Sequence, residues 1–154
     1  MTAHASASPS RLGGSLASLQ DTLARHYRRL GALSRVLRFR VPATDAWIDR
    51  QAHRARPDRV LGIELDGDVR AVLELYDLGD GHAEIGISVE DAYQNRGLGR
   101  ALFRAGLRAA REMGVETADL FFSQSNTAIM KIVSDLGAEI RDQQGDRWAS
   151  IRLV

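Results

Sequence analysis

Two glycines and two arginines mark where this 154-residue chain could do chemistry. Gly97 and Gly99 stand in Gln94-Asn95-Arg96-Gly97-Leu98-Gly99-Arg100. Before it, Ala83 to Val89 alternates as a strand does; after it, Leu98, Ala101, Leu102, Ala105, Ala109 and Met113 follow helical spacing. Glycine lets the backbone approach a ligand closely, and the first turn of a helix leaves its N–H groups without intrahelical acceptors. Such a strand–loop–helix junction binds anions. Arg96 and Arg100 flank the helix start, where the macrodipole disfavours positive charge by about 0.3–1 kcal/mol per group. An anionic ligand turns that penalty into attraction; the alternative is a plain tight turn with solvated arginines. Other phosphate motifs are excluded. Position 102 is leucine where a dinucleotide fingerprint needs a third glycine, and no Gly-Lys-Ser/Thr occurs.

Val89, Gln94, Gly97 and Gly99 stand at the spacing of the Gln/Arg-x-x-Gly-x-Gly/Ala loop that follows a strand in the GNAT (Gcn5-related N-acetyltransferase) family, which the chain resembles over roughly residues 33 to 154. Asn126 to Ala138, ending in Leu136-Gly137, resembles the family's asparagine-initiated helix. Ser34-Arg35-Val36-Leu37-Arg38-Phe39 resembles the Ser-x-x-x-Arg-Phe segment of bacterial protein-lysine acetyltransferases, whose GNAT domain is the nearest in motifs. The resemblance implies an α+β GNAT fold: a mixed, mostly antiparallel sheet of six to seven strands, about four flanking helices, and a splayed parallel strand pair. It also implies acetyl-CoA as cosubstrate. The pyrophosphate and pantetheine would lie against Ile87, Ser88, Val89, Gln94, Asn95, Arg96, Gly97, Leu98, Gly99, Arg100 and Asn126.

The elements that must position these residues can be followed along the chain. Met1 to Gly14 is small, polar and aperiodic and reads as a mobile tail, so the folded unit is a single domain over 15–154. Leu16, Leu19, Leu23, Tyr27 and Leu30 make one helical face, with Ser18 as N-cap and Gly31 as stop. The family usually has a strand before this helix, and nothing from Ser10 to Ser15 reads as one. Thr44 caps a second helix, Asp45 to about Ala55, which Pro57 ends. Arg59 to Leu65 and Val69 to Leu78 read as strands joined at Asp66-Gly67-Asp68, and Gly79-Asp80-Gly81 turns into the strand ending at Val89. After the long helix, Gly114 precedes a buried strand from Glu116 to Phe122. Asn126 starts a last helix to Leu136, and a hairpin around Gln144-Gly145 closes the sheet. His4, His26, His53 and His82 each read as surface residues.

Composition narrows the chemistry. There is no cysteine, so thiolate nucleophiles and cysteine-ligated zinc are excluded, and no metal site is expected. No apolar run nears the ~20 residues of a membrane span, and no signal-peptide core is present, so a cytoplasmic location and no membrane partner are expected. Met1 to Arg59 holds eleven arginines against four acids, while Val60 to Val154 holds ten basic and sixteen acidic residues. The basic half lacks the clustering and aromatic interleaving of a nucleic-acid surface, which makes a solvated helix face the better reading.

Moving an acetyl group from a thioester to an amine needs a neutral amine, an oxyanion donor and a proton for the thiolate. Glu84 matches the glutamate proposed as general base in the protein-lysine acetyltransferase strand; it is that base or an exposed strand glutamate. A backbone N–H near Ile87 to Val89 is the expected oxyanion donor. The family often has a tyrosine acid seven residues after the asparagine, but that position is Val133. Asn126 touches pantetheine, caps its helix, or both. The reading is an N-acetyltransferase acting on a primary amine, a protein lysine or a small molecule, by direct attack. A non-catalytic acyl-CoA-binding module is the alternative. The final strands could also pair across a homodimer.

Overall fold

The computed structural model describes residues 7–153 and forms one mixed sheet of seven strands in the order β1-β2-β3-β4-β5-β7-β6. The strands are β1 (Ser10–Arg11), β2 (Arg59–Leu65), β3 (Asp68–Gly79), β4 (His82–Val89), β5 (Thr117–Ser123), β6 (Glu139–Gln143) and β7 (Asp146–Arg152). Helices α1 (Leu16–Arg28), α2 (Ala32–Phe39), α3 (Asp45–Arg54), α4 (Leu98–Glu112) and α5 (Thr127–Asp135) cover it. All neighbouring strands pair antiparallel except β4 and β5, which run parallel. The GNAT architecture expected from the motifs is the one observed, with five helices instead of about four.

Strand alternation divides the core between the two faces of the sheet. Leu73, Leu75, Ala83 and Ile85 pack with Leu102, Phe103 and Leu107 of α4 and Ile132 and Val133 of α5. On the other face Val60 and Val72 pack with Leu23 and Tyr27 of α1 and Ile48 and Ala52 of α3. Phe103 has no exposed surface, a burial that contributes about 1.5–3 kcal/mol. Gly106 lets α4 press onto β3: a Cβ there would stand 2.6 Å from Leu73 Cδ1. This seating sets where the N-terminus of α4 points.

Three local expectations are corrected. Ser10–Arg11 do form a strand, two residues paired antiparallel with Leu61 and Gly62, so the expected tail of 1–14 reaches the sheet before it ends. Residues 1–6 of that tail, His4 included, lie outside the described residues. Two residues carry too little pattern to read as a strand. Ser15, not Ser18, caps α1: its hydroxyl accepts from the Ser18 N–H at 3.1 Å. Gly31 does not stop α1 but caps α2, the helix that the motif Ser34 to Phe39 occupies. None of α2's residues is fully buried, so it left no core stripe to read.

Candidate acyl-transfer site

The loop before α4 is built as its residue types require. Asn95 and Gly97 hold positive φ, 63° and 80°, and Gly97 is the N-cap of α4. Ala101 is the first residue with a helical acceptor, Gly97 O at 3.1 Å, so the amides of Leu98, Gly99 and Arg100 have no intrahelical partner. These residues, with Gln94, Asn95, Ile87, Ser88, Val89 and Asn126, line a cavity of about 370 Å³. A Cβ on Gly99 would make only ordinary contact with Ile132 and Val89, at 3.6 and 3.8 Å, so packing around it does not by itself demand glycine. Bare amides at a helix start over an open groove fit a pyrophosphate.

The arginines divide differently from expectation. Arg96 stacks over the Tyr93 ring at 5.2 Å and donates to Ala92 O, outside the cavity lining, while Arg100 lines the cavity and pairs with Asp135 at 2.7 Å. Lys131 of α5 also lines it, a cation to which the sequence reading assigned no role. Gln94 is a strut: its amide nitrogen donates to Val89 O at 2.9 Å and to Ser34 Oγ at 3.1 Å, tying the end of β4 to α2. Asn126 caps α5 by accepting from the Ile129 N–H at 3.2 Å while lining the cavity, which makes its two expected roles compatible.

From this cavity a gap runs along β4. Pairing with β5 covers only His82↔Thr117, Ala83↔Ala118 and Glu84↔Asp119, and the strands then part. The Glu90 N–H donates to Arg70 O at 2.9 Å, so alternation turns the polar groups of Gly86 and Ser88 toward β3 and those of Ile87 and Val89 toward the gap. Val89 O is taken by Gln94. The Ile87 and Val89 amides remain as donors along the open edge.

Beyond the gap a second cavity, about 660 Å³, shares Leu37, Arg38, Ile87, Asn126 and Ile129 with the first. Phe39, Trp47, Tyr76 and Phe121 form its aromatic walls, and exposed Glu84 lines it, on the strand face opposite Ile85 and Ile87. Glu84 therefore stands inside a cavity continuous with the anion cradle. Arg40 and Asp146, which also line it, form an ion pair.

Sequence reasoning missed the polar residues around it. Glu74, 1% exposed, receives the Tyr76 hydroxyl and lies 3.3 Å from Arg38 Nη2. Burial pushes its carboxyl up to about 7, against the lowering effect of the Tyr76 hydrogen bond. Burial, with Glu74 alongside, also raises the Tyr76 hydroxyl above its ordinary value. The available signal was a glutamate at an inward position between Val72 and Tyr76. His26 corrects the surface assignment outright, being fully buried with Nε2 2.8 Å from Ser88 Oγ and Nδ1 3.3 Å from Glu90 Oε2. Burial holds its imidazole below the ordinary value, against the raising effect of Glu90. Burial also pushes Glu90 up, but hydrogen bonds from His26, Arg29 and Arg70 outweigh it and keep the carboxyl low. A carboxylate only accepts, so Nδ1 carries the proton and Nε2 accepts from Ser88. This network anchors the cavity strand to α1. His53 and His82 are exposed, as expected.

Residues 21–137 match the profile of the acetyltransferase (GNAT) family. A mycothiol acetyltransferase of Streptosporangium roseum is 40% identical over 65 residues, 40% of this chain and 19% of that protein, so the match spans about a fifth of the relative. The GNAT domain of PAT from S. lividans has a TM-score of 0.77 at 21% identity, covering 94% of this chain and 89% of that one. PaiA N-acetyltransferase from Thermoplasma acidophilum, solved in complex with coenzyme A, has a TM-score of 0.69 at 15% identity, covering 94% and 99%. Among the described residues no helix is long and apolar enough to cross a membrane.

Proposed function

Because the chain belongs to the acetyltransferase (GNAT) family, whose members are acyl-CoA-dependent N-acyltransferases using acetyl-CoA, we propose that it moves an acetyl group from acetyl-CoA onto a primary amine by direct attack. One observation carries this reading. The gap that opens after Glu84↔Asp119 joins the amide cradle at Leu98–Arg100 to the cavity holding Glu84.

Acetyl-CoA supplies the electrophilic thioester carbonyl. The free amides of Leu98, Gly99 and Arg100, with Lys131, hold the pyrophosphate, and Ile87, Ser88, Val89 and Asn126 flank the arm that enters the gap. The Ile87 or Val89 N–H faces the carbonyl oxygen and stabilises the charge that develops there. Glu84 takes the proton of the incoming ammonium, directly or through water, which frees the nitrogen lone pair for attack. Collapse of the intermediate breaks the C–S bond, and because Val133 is fully buried and apolar the departing thiolate takes the second proton of the attacking nitrogen through water.

Calorimetric titration with acetyl-CoA and with CoA, followed by thiol release against a panel of amines and lysine peptides, tests the proposal. Binding with turnover on an acceptor is expected. Binding without turnover across a broad panel would make the chain an acyl-CoA-binding module instead, and no binding would contradict the cradle.

A further inference from the structure

Arg38 stands where the two cavities meet and lines both. Its guanidinium has few partners for so enclosed a cation. Nη2 makes two long contacts, 3.3 Å to Glu74 Oε1 and 3.4 Å to Tyr27 Oη, while Nε is buried with no hydrogen-bond partner. Tyr27 and Phe39 hold the group against their rings, 5.4 and 5.0 Å from Cζ. Glu74, the carboxylate it contacts directly, already receives the Tyr76 hydroxyl and is raised by burial, so it balances the cation poorly. The side chain keeps 20% of its surface exposed, and the residues around that surface are those of the cavities.

On the same face of β4, two residues before Gly86 over which Arg38 lies, Glu84 presents a carboxylate to the larger cavity. A cation short of partners and a carboxylate thus sit side by side where the gap opens, beneath aromatic walls from Phe39, Trp47 and Phe121. We propose that the acceptor is an α-amino acid: its ammonium meets Glu84, its carboxylate meets Arg38, and its side chain fills the aromatic-lined cavity. A zwitterion whose ammonium and carboxylate share one carbon answers both groups at once. A lysine side chain in a protein brings only the ammonium and leaves Arg38 without an anion. Arg38 is then a specificity-determining residue that orients the amine.

This inference rests on the transferase reading, and the test separates the two. Acetyl-CoA-dependent thiol release is measured with matched pairs, L-phenylalanine against phenethylamine and L-tryptophan against tryptamine, and with a lysine peptide. The wild type is expected to prefer each amino acid over its amine by about 100-fold or more in kcat/KM, because a site built for a polar group strongly rejects the analogue lacking it. Arg38→Gln should erase that preference with CoA affinity unchanged by calorimetry, and Arg38→Lys should restore part of it. Equal turnover of acid and amine by the wild type, or preference for the peptide, overturns the proposal while leaving the transferase reading intact. Loss of CoA affinity in a folded Arg38→Gln variant would reassign the residue to the cosubstrate and overturn it as well. No CoA binding, or binding with no turnover on any acceptor, overturns both readings.

Discussion

The Arg38 guanidinium occupies the space a side chain at Gly86 would fill: a Cβ there would stand 2.5 Å from Nη2 and 3.0 Å from Cζ. The absent side chain lets a helix arginine lie across the strand that borders the gap. Gly86 and Glu74 are register partners, so the same place brings Arg38 within reach of Glu74.

Gly86→Ala should therefore displace Arg38 and cost about 1 kcal/mol, the low end of the range for overpacking, because the group in the way is the far end of a flexible side chain. Urea denaturation would measure it. A variant as stable as the wild type would mean that the guanidinium moves aside freely.

The carboxyl of Glu74, pushed up to about 7 by burial, makes a pH-dependent contribution to stability. Its folded value lies above its unfolded one, so the protonated form is favoured on folding. The stability is fully present below about pH 4.5, declines as pH rises, and is lost above about pH 7, by roughly 3 kcal/mol in all. Glu74→Gln should remove this decline, its stability relative to wild type growing between pH 4.5 and 7 and staying level beyond. Parallel pH profiles of the two proteins would contradict the assignment.

Gly97 combines positive φ with open space around a would-be Cβ. Gly97→Asp should cost about 1 kcal/mol of stability from the left-handed backbone and abolish CoA binding by setting a carboxylate against the pyrophosphate. Calorimetry on the folded variant checks both, and wild-type CoA affinity would refute the cradle.

What the sequence made legible was what repeats or what glycine marks. Period-two runs located β2, β3 and β4, and the switch to helical spacing at Gly97 and Gly99 located the cradle, because alternation and left-handed turns leave direct traces in residue type. Helix α2 and the two-residue β1 left none: one buries no residue completely, and the other is too short for a pattern. His26 read as a surface histidine because the partners that make its burial tolerable, Ser88 and Glu90, lie more than sixty residues away. Arg38, Glu74 and Tyr76 meet for the same reason, through strand register and helix packing. Arg96 left the expected site because the Tyr93 ring and Ala92 O hold it outside the cavity lining, contacts that residue type and spacing do not announce.

The most direct test of the account compares Glu84→Gln with the wild type at pH 7, pairing acetyl-CoA-dependent thiol release on one accepted amine with CoA titration of both proteins. Removing a general base costs about 10²-fold or more in turnover, and a neutral amide of the same shape should leave CoA affinity intact. A hundredfold fall in kcat at unchanged CoA affinity is the expected result. Unchanged turnover would contradict the role given to Glu84 and, with it, the direct-attack mechanism built on the cavity it lines.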